Sequence, residues 1–214
     1  MDIEKHNELL EKRREILRAK QRYYAKRTLL NFCRYSMVDY ENKPKYIVNW
    51  HHAAICKYLD LFIAKKIPRL IITTPPRHGK TELVSRRLPS FILGKDPDAE
   101  IIACSYSADL SSKTNRDVQR IITSPRYKEL FADTQLVNKT QKQKTETTYK
   151  RTINEFEIIN RNGVYRSCGV DGGISGMGAN FIIVDDPIKN AVEAYSATYK
   201  QKVWDWYKST LYTR

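Results

Sequence analysis

The feature that most constrains the fold is a short apolar run that leads directly into a glycine-lysine-threonine turn. Residues 69–74 read Arg-Leu-Ile-Ile-Thr-Thr, and residues 75–81 continue as Pro-Pro-Arg-His-Gly-Lys-Thr. β-Branched residues favour extended backbone, and the two prolines end such a run, so we predict a buried strand over 69–74. Residues 79–93 have the spacing of a helix. The sequence therefore predicts a strand, a turn and a helix in direct succession.

A second apolar run ends in two adjacent carboxylates. Residues 181–184 read Phe-Ile-Ile-Val, and Asp185 and Asp186 follow them. We predict a buried strand with both acids at its carboxyl end. Two neighbouring carboxylates there repel each other unless a cation compensates them, and a bound metal would do so. An Asp-Asp-Pro turn that caps the next helix is the alternative interpretation.

The remaining pattern alternates helices with strands. Asn162 and Gly163 lie between two alternating runs, which indicates a hairpin. Strands that alternate with helices predict an α/β fold of three layers around a mostly parallel sheet, with ligands at the carboxyl ends of the strands. We expect a basic helical segment over 1–44 and one domain over 45–214. Besides the elements above, we predict helices over 2–35, 51–64, 107–123 and 191–210, strands over 100–106, 155–160 and 164–170, and an exposed polar loop or hairpin over 132–152.

Composition narrows the class of protein. The net charge is +14, which favours a polyanionic partner such as nucleic acid, although simple solubility is an alternative. Hydrophobic residues make up 41% of the chain, yet no apolar run approaches the length of a membrane span. The N-terminus is charged and carries no signal region, so we expect a cytoplasmic protein without a membrane partner. Cys33, Cys56, Cys104 and Cys168 show no CxxC spacing or Cys/His cluster, so we expect neither zinc nor disulfides. Cys104 and Cys168 lie in apolar runs, which predicts buried thiols.

The turn over residues 74–81 matches most of a phosphate-binding loop. The usual pattern is GxxxxGK[ST], and here Thr74 replaces the first glycine. Gly79 allows the backbone to approach a phosphate, and the helix that follows has its positive end there. Lys80 is expected to reach the β and γ phosphates of ATP, and Thr81 to place its hydroxyl on Mg²⁺. Arg77 and His78 could add cationic contacts.

The motifs in their order along the chain resemble a known family. The stretches that carry the resemblance are Asn49–His52, Pro75–Glu82, Ser105–Ser107, Gly176–Lys189 and Trp204–Arg214. They are similar to the large terminase subunit of tailed bacteriophages, the motor that packages DNA into proheads, over roughly residues 45–214. The resemblance implies a P-loop ATPase of the additional-strand, RecA-like class, in which the first glycine of the loop is often replaced.

The resemblance also implies roles for individual residues. Asp185 is expected to be the Walker B acid that holds Mg²⁺ together with Thr81, and Asp186 to be the catalytic carboxylate. Lys80 and Arg77 join Asp186 as catalytic residues, Arg77 as a sensor of the γ phosphate. The residues expected to contact ATP are Trp50, His51, Thr74, Pro75, Pro76, Arg77, His78, Gly79, Lys80 and Thr81. For Trp50 and His51, which match the adenine contact of the family, ordinary core packing is the alternative.

This sequence departs from the family pattern in two places. Some large terminases carry a trans-acting arginine just before Walker B, but residues 167–180 contain no arginine. Arg116, Arg120 and Arg166 are the fallback candidates. The family continues with a coupling-motif strand and a C-terminal nuclease domain, and neither follows in these 214 residues. We therefore expect no nuclease activity, and a strand over 181–184 that lacks one neighbour.

The expected partners follow from the same resemblance. They are double-stranded DNA, the phage portal, the small terminase subunit and further copies of the chain in a ring, within the bacterial host. The basic loop over 139–151 and the N-terminal helix are the candidate DNA contacts. Two alternatives remain: another P-loop nucleic-acid motor, such as a helicase-like ATPase, and a DNA-binding or assembly fragment that does not hydrolyse ATP.

Overall fold

The computed structural model describes residues 3–39, 43, 45–137, 149–174 and 176–214. The predicted polar loop therefore lies partly outside the described residues. Two segments have π-helical hydrogen bonding, Glu82–Arg87 and Tyr207–Leu211. The other elements are α1 (Ile3–Ala25), α2 (Leu29–Ser36), α3 (Trp50–Ile63), α4 (Leu88–Lys95), β1 (Glu100–Ser105), α5 (Ala108–Thr123), α6 (Pro125–Leu130), β2 (Glu155–Glu157), β3 (Val164–Gly169), β4 (Phe181–Asp185), α7 (Ala191–Tyr195) and α8 (Ala197–Trp206).

The described strands form one small mixed sheet in the order β2-β3-β1-β4. β1 pairs in parallel with both β3 and β4, so that Ile101 lies between Tyr165 and Phe181. β2 and β3 are antiparallel, which confirms the predicted hairpin. At Gly163 a Cβ atom would lie 2.1 Å from the carbonyl oxygen of Pro97, so glycine is required there by close approach. The chain is an α/β protein, as predicted.

Helical layers cover both faces of this sheet. On one face, Ile101, Ala103 and Ile183 belong to the main hydrophobic core, which also contains side chains from α2, α3, α4 and α5. On the other face, Ile102 and Cys104 pack with residues of α8 and the second π-helical segment. Alternate residues of β1 therefore enter different cores, as the two-residue repeat of a strand requires.

The prediction of a buried strand over residues 69–74 is wrong. This segment has no assigned secondary structure, and it forms no strand pairing within the part of the chain that the structure describes. Leu70 and Ile72 pack against the main core, whereas Ile71 is 91% exposed. β4 pairs only with β1 among the described residues, and its Val184 is 40% exposed. β-Branched residues favour extended backbone, but a strand also needs a hydrogen-bonding partner, which the described residues do not supply.

The N-terminal region divides into two helices rather than the single predicted one. Thr28 interrupts the helix and caps α2, because its hydroxyl accepts a hydrogen bond from the amide of Asn31. Phe32 of α2 then packs on the rings of Phe91 and Tyr127 in the main core. Among the described helices, none combines the length and the apolar character that crossing a membrane requires.

Candidate functional site

The loop over residues 74–81 lies against the first turn of α3. A capping box fixes the start of α3, since Asn49 accepts from the first-turn amides and its own amide donates to Nδ1 of His52. The His52 ring lies directly over Gly79, where a Cβ atom would be 3.0 Å from Nε2. Gly79 also has a φ of +81°, a conformation that glycine adopts without strain. The glycine is therefore required both by its backbone and by its neighbour.

The lysine of this loop meets the aspartate pair, which we define as Asp185 and Asp186. The Nζ atom of Lys80 hydrogen-bonds Oδ1 of Asp186 and lies 3.4 Å from Oδ1 of Asp185. Lys80 and Asp186 are 106 positions apart in the chain, so only the fold brings them together. The two sequence motifs thus form one cluster.

The two aspartates have different surroundings. The Asp185 side chain is 13% exposed, and its Oδ2 accepts a hydrogen bond of 2.7 Å from the Ser85 hydroxyl. The Asp186 side chain is 56% exposed, and its backbone φ is +48°. This left-handed conformation is held by the amide of Tyr106, which donates to the carbonyl of Asp186. Asp185 is therefore an anchored carboxylate, whereas Asp186 faces solvent.

Ser85 is a site residue that the sequence analysis missed. It lies in the π-helical segment, where hydrogen bonds join residues five apart, as between the amide of Leu88 and the carbonyl of Leu83. The same spacing of five residues separates Lys80 from Ser85, and both side chains reach Asp185. The sequence predicts an ordinary α-helix here, and the spacing of an α-helix gives no sign that Lys80 and Ser85 would point to the same aspartate. π-Helical turns occur frequently at functional sites.

Glu82 connects the loop to the rest of the domain. It accepts from Arg86 at 2.8 Å and from Arg87 at 2.7 Å, and Arg87 also donates to the Ser36 hydroxyl of α2 at 3.0 Å. Burial by itself raises the pKa of Glu82, but the guanidinium groups of Arg87 and Arg86 outweigh burial, so the pKa is lowered. Arg86 continues the network to Asp117 of α5. The residue after Thr81 is thereby tied to two helices of the core.

Lys80 supplies the positive charge that the aspartate pair needs. Burial lowers the pKa of Lys80, but Asp186 and Asp185 together raise it above its ordinary value. The carboxylate and hydroxyl oxygens present here are the ligands that Mg²⁺ prefers. No group of three or more His, Cys, Asp or Glu side chains in the described ranges could hold a metal ion. Asp185 and Thr81 offer a carboxylate and a hydroxyl oxygen, which suit a Mg²⁺ ion that completes its shell with water and phosphate oxygens.

Two histidines, His51 and His52, border the loop, and a third, His78, lies within it. The His51 ring lies 4.0 Å from the His52 ring and 5.6 Å from the His78 ring, between centroids. Burial and the neighbouring His51 lower the pKa of His52. The Nε2 atom of His51 and the Oγ1 atom of Thr74 are buried without a hydrogen-bond partner among the described residues. Such atoms are costly to leave unpaired, so they mark positions where a ligand could bond.

The structure does not bring every predicted site residue into the Lys80 cluster. Trp50 is 80% exposed, so core packing is not its role. Arg77 is exposed and has a φ of +64°; it is not among the described partners of Lys80 or of the aspartate pair. Pro75, Pro76 and His78 are also exposed, and the Nδ1 atom of His78 lies 2.8 Å from the carbonyl of Pro76. Thr81 is half-buried at the start of the π-helical segment.

Two of the three fallback arginines are engaged within the chain. Arg166 contacts Glu155 and Glu100, and Arg120 contacts Asp117. Arg116 lies on an exposed face of α5. An arginine that acts on another subunit must be free to reach it, so the contacts favour Arg116 over Arg166.

The chain matches a family of known proteins. The family model is described as "Terminase large subunit, T4likevirus-type, N-terminal", and it matches residues 71–214, which is most of the chain. The match includes Lys80, Ser85 and the aspartate pair. No curated protein and no solved structure matches the chain significantly. On the family match and the residues it covers, the chain belongs to the terminase large subunit family, as its N-terminal part.

Proposed function

We propose that this chain is the ATPase motor domain of a phage terminase large subunit and that its fold is of the RecA-like P-loop class. The observation that carries the proposal is the contact of Lys80 with both members of the aspartate pair. A lysine from a glycine-containing loop and two acids from a strand end are what phosphoryl transfer requires at one place. The terminase family supports a role in DNA packaging.

Each residue of the cluster has a part in the proposed reaction. When ATP binds, Lys80 exchanges its contact with Asp186 for the β and γ phosphates, and the amides after Gly79 bind phosphate oxygens. Asp185, fixed by Ser85, and Thr81 would hold Mg²⁺, which neutralises charge on the phosphates. Asp186, released from Lys80 and facing solvent, orients the attacking water and takes its proton. The adenine of ATP binds beside the loop, against Trp50 and His51.

The unpaired segment before the loop favours a second candidate function. Residues 69–74 lack strand partners in the described part of the chain, so the loop is held mainly through side chains such as Lys80. A loop held in this way could bind ATP without holding the γ phosphate and the water in line. The chain would then be a DNA-binding or assembly module without turnover. The helicase-like motor gains no separate support from the structure.

The partners are part of the proposal. The charge of +14 suits double-stranded DNA, and the family suggests the portal, the small subunit and a ring of copies in the host cytoplasm. Of the candidate DNA contacts, the basic loop lies largely outside the described residues, which resume at residue 149. DNA binding through phosphate contacts should weaken steeply as salt is raised. DNA binding with an affinity that does not change with salt would contradict binding through phosphate contacts.

Release of phosphate from ATP, measured with and without double-stranded DNA, tests the proposal. We expect turnover in the unchanged chain, loss of turnover in Lys80→Ala and Asp186→Asn, and no change in Lys57→Ala. Lys57 is a matched control because its side chain is exposed on α3. Turnover that survives Lys80→Ala would contradict the assignment. ATP binding without turnover in the unchanged chain would support the second candidate.

A further inference from the structure

The first helix stands away from the rest of the protein. Every residue from position 5 to position 21 is exposed. The end of α1 touches the domain, where Ala25 is fully buried and Arg22 lies 3.9 Å from Glu129 of α6. Most helices in proteins gain their stability by packing one amphipathic face against a partner. The free part of α1 has such a face.

The face is an apolar stripe with a strict repeat of seven residues. It consists of three pairs of neighbours, each pair seven positions after the previous one, and we call it the α1 stripe. From its first to its last residue it extends about 22 Å along the helix axis. The members and their exposed fractions are Leu9 67%, Leu10 37%, Ile16 68%, Leu17 50%, Tyr23 52% and Tyr24 46%.

Basic residues lie in the centre of the stripe. By helical periodicity, Arg13 and Lys20 fall on the same face as the apolar pairs and between them. The acids fall on the opposite face, where Glu8 pairs with Lys12 and Glu11 with Arg14. The stripe is therefore apolar and basic, with its acids turned away.

This arrangement excludes three kinds of occupant. A second copy in antiparallel order, with all three pairs aligned, would place Arg13 against Lys20. In parallel order each of the two would lie against itself, so like charges would meet in both orders. A lipid surface favours an uninterrupted apolar face with basic residues at its edges. DNA would use the basic residues but leave Leu9, Leu10 and the other apolar side chains in water.

We propose that the α1 stripe is the docking surface for an acidic amphipathic helix of a different polypeptide. Apolar residues of that helix, seven apart, pack between the pairs of the stripe. Asp or Glu residues between them meet Arg13 and Lys20. A charge inside an apolar contact is stable when it is paired, so these two basic residues select an acidic partner and reject a basic one.

A synthetic peptide of about three heptads provides the probe. It carries a leucine pair in every heptad and glutamates at the positions between pairs; a second peptide has lysines in place of those glutamates. Fluorescence anisotropy measures binding of each labelled peptide to the full chain. We expect the acidic peptide to bind at least about tenfold more tightly than the basic one.

Two variants test which residues bind. In Leu10→Gln/Leu17→Gln, affinity for the acidic peptide should fall at least about tenfold, while the similar helix propensities of Leu and Gln preserve the helix. In Arg13→Glu/Lys20→Glu, the preference should reverse toward the basic peptide. The matched control is Arg14→Glu/Arg18→Glu, which changes the net charge equally but lies off the stripe. Circular dichroism of each variant checks that helix content is retained.

Four results would overturn the proposal. The first is equal binding of both peptides, and the second is an equal effect of the control variant and of Arg13→Glu/Lys20→Glu. The third is self-association in sedimentation that Leu10→Gln/Leu17→Gln abolishes, which would assign the stripe to a second copy. The fourth is binding to phosphatidylglycerol vesicles that depends on the same two leucines, which would assign the stripe to a lipid surface.

Discussion

The protein holds two of its apolar segments, β1 and residues 69–74, in different ways. β1 receives backbone hydrogen bonds from both of its neighbours, and its Ile101 is fully buried. The segment over 69–74 has no strand partner in the described residues, and its Ile71 is 91% exposed. Its first residue, Arg69, donates to the Tyr212 hydroxyl, and the loop that follows the segment is anchored where Lys80 reaches the aspartate pair.

The difference between β1 and residues 69–74 affects both the stability of the protein and its function. A backbone ladder fixes many groups at once, whereas exposed side-chain contacts contribute little each. The loop over residues 74–81 therefore lies on the less stable side of the molecule. Loops that bind ligands and change conformation are drawn from such regions. Substitutions in and around the two segments test this contrast, from the largest expected change in stability to the smallest.

Removing one isoleucine from each segment should have very different costs. Ile101→Ala leaves a cavity in the main core, and we expect it to lower the free energy of unfolding by about 3 kcal/mol. Ile71→Ala removes an exposed side chain, and we expect a loss below about 0.5 kcal/mol. Urea unfolding of both variants measures the contrast. Equal losses would show that residues 69–74 are packed as tightly as β1.

Ser85→Ala should have an intermediate effect on stability and a specific effect on the site. It leaves Oδ2 of the partly buried Asp185 without its hydroxyl donor, at an expected cost of about 2 kcal/mol. Because Asp185 then loses its fixed orientation, we also expect a higher Mg²⁺ concentration for half-maximal ATP binding. The control is Ser90→Ala, a buried serine whose hydroxyl donates to the carbonyl of Arg86 and does not contact the aspartate pair. An equal Mg²⁺ shift in both variants would remove Ser85 from the site.

The Glu82 network should give a smaller, pH-dependent effect. Burial opposes the charge of Glu82, but Arg87 and Arg86 prevail and lower its pKa below the unfolded value of about 4.3. The stabilisation is therefore fully present above that pH and is lost as pH falls through the folded pKa. Between about pH 5 and pH 3, the unchanged chain should lose more unfolding free energy than Glu82→Gln. Parallel pH profiles would contradict this account.

The contact between Arg69 and Tyr212 should contribute least. The Arg69 guanidinium donates to the Tyr212 hydroxyl at 2.6 Å, but both residues are exposed. A double-mutant cycle with Arg69→Gln and Tyr212→Phe should give a coupling free energy below about 0.5 kcal/mol. A coupling several times larger would mean that this side chain holds the segment as firmly as a strand pair does.

Much of the fold could be predicted from the local pattern of capping and apolar residues in the sequence. Ser107 and Ser124 cap α5 and α6, and apolar periodicity locates β1, so these elements follow from nearby sequence. The strand over 69–74 could not be excluded locally, because pairing depends on residues distant in the chain. Exposure of Ile71 and Val184 has the same origin.

The sequence predicted which residues form the candidate site better than it predicted how those residues are arranged. Lys80 and the aspartate pair stand in recognisable motifs, and the fold brings them together as the motifs imply. Ser85 has no such signal, because its position depends on a π-helical turn. The contact of His52 with Gly79 is likewise tertiary. A sequence motif does not specify the tertiary packing that orients the residues around it.

Binding of ATP in the presence of Mg²⁺, measured by fluorescence titration, tests the central claim most directly. That claim is that Lys80 and the aspartate pair form one nucleotide site. We expect saturable binding by the unchanged chain and by Lys57→Ala, and at least about tenfold weaker binding by Lys80→Ala. Equal affinity of Lys80→Ala and the unchanged chain would contradict the claim.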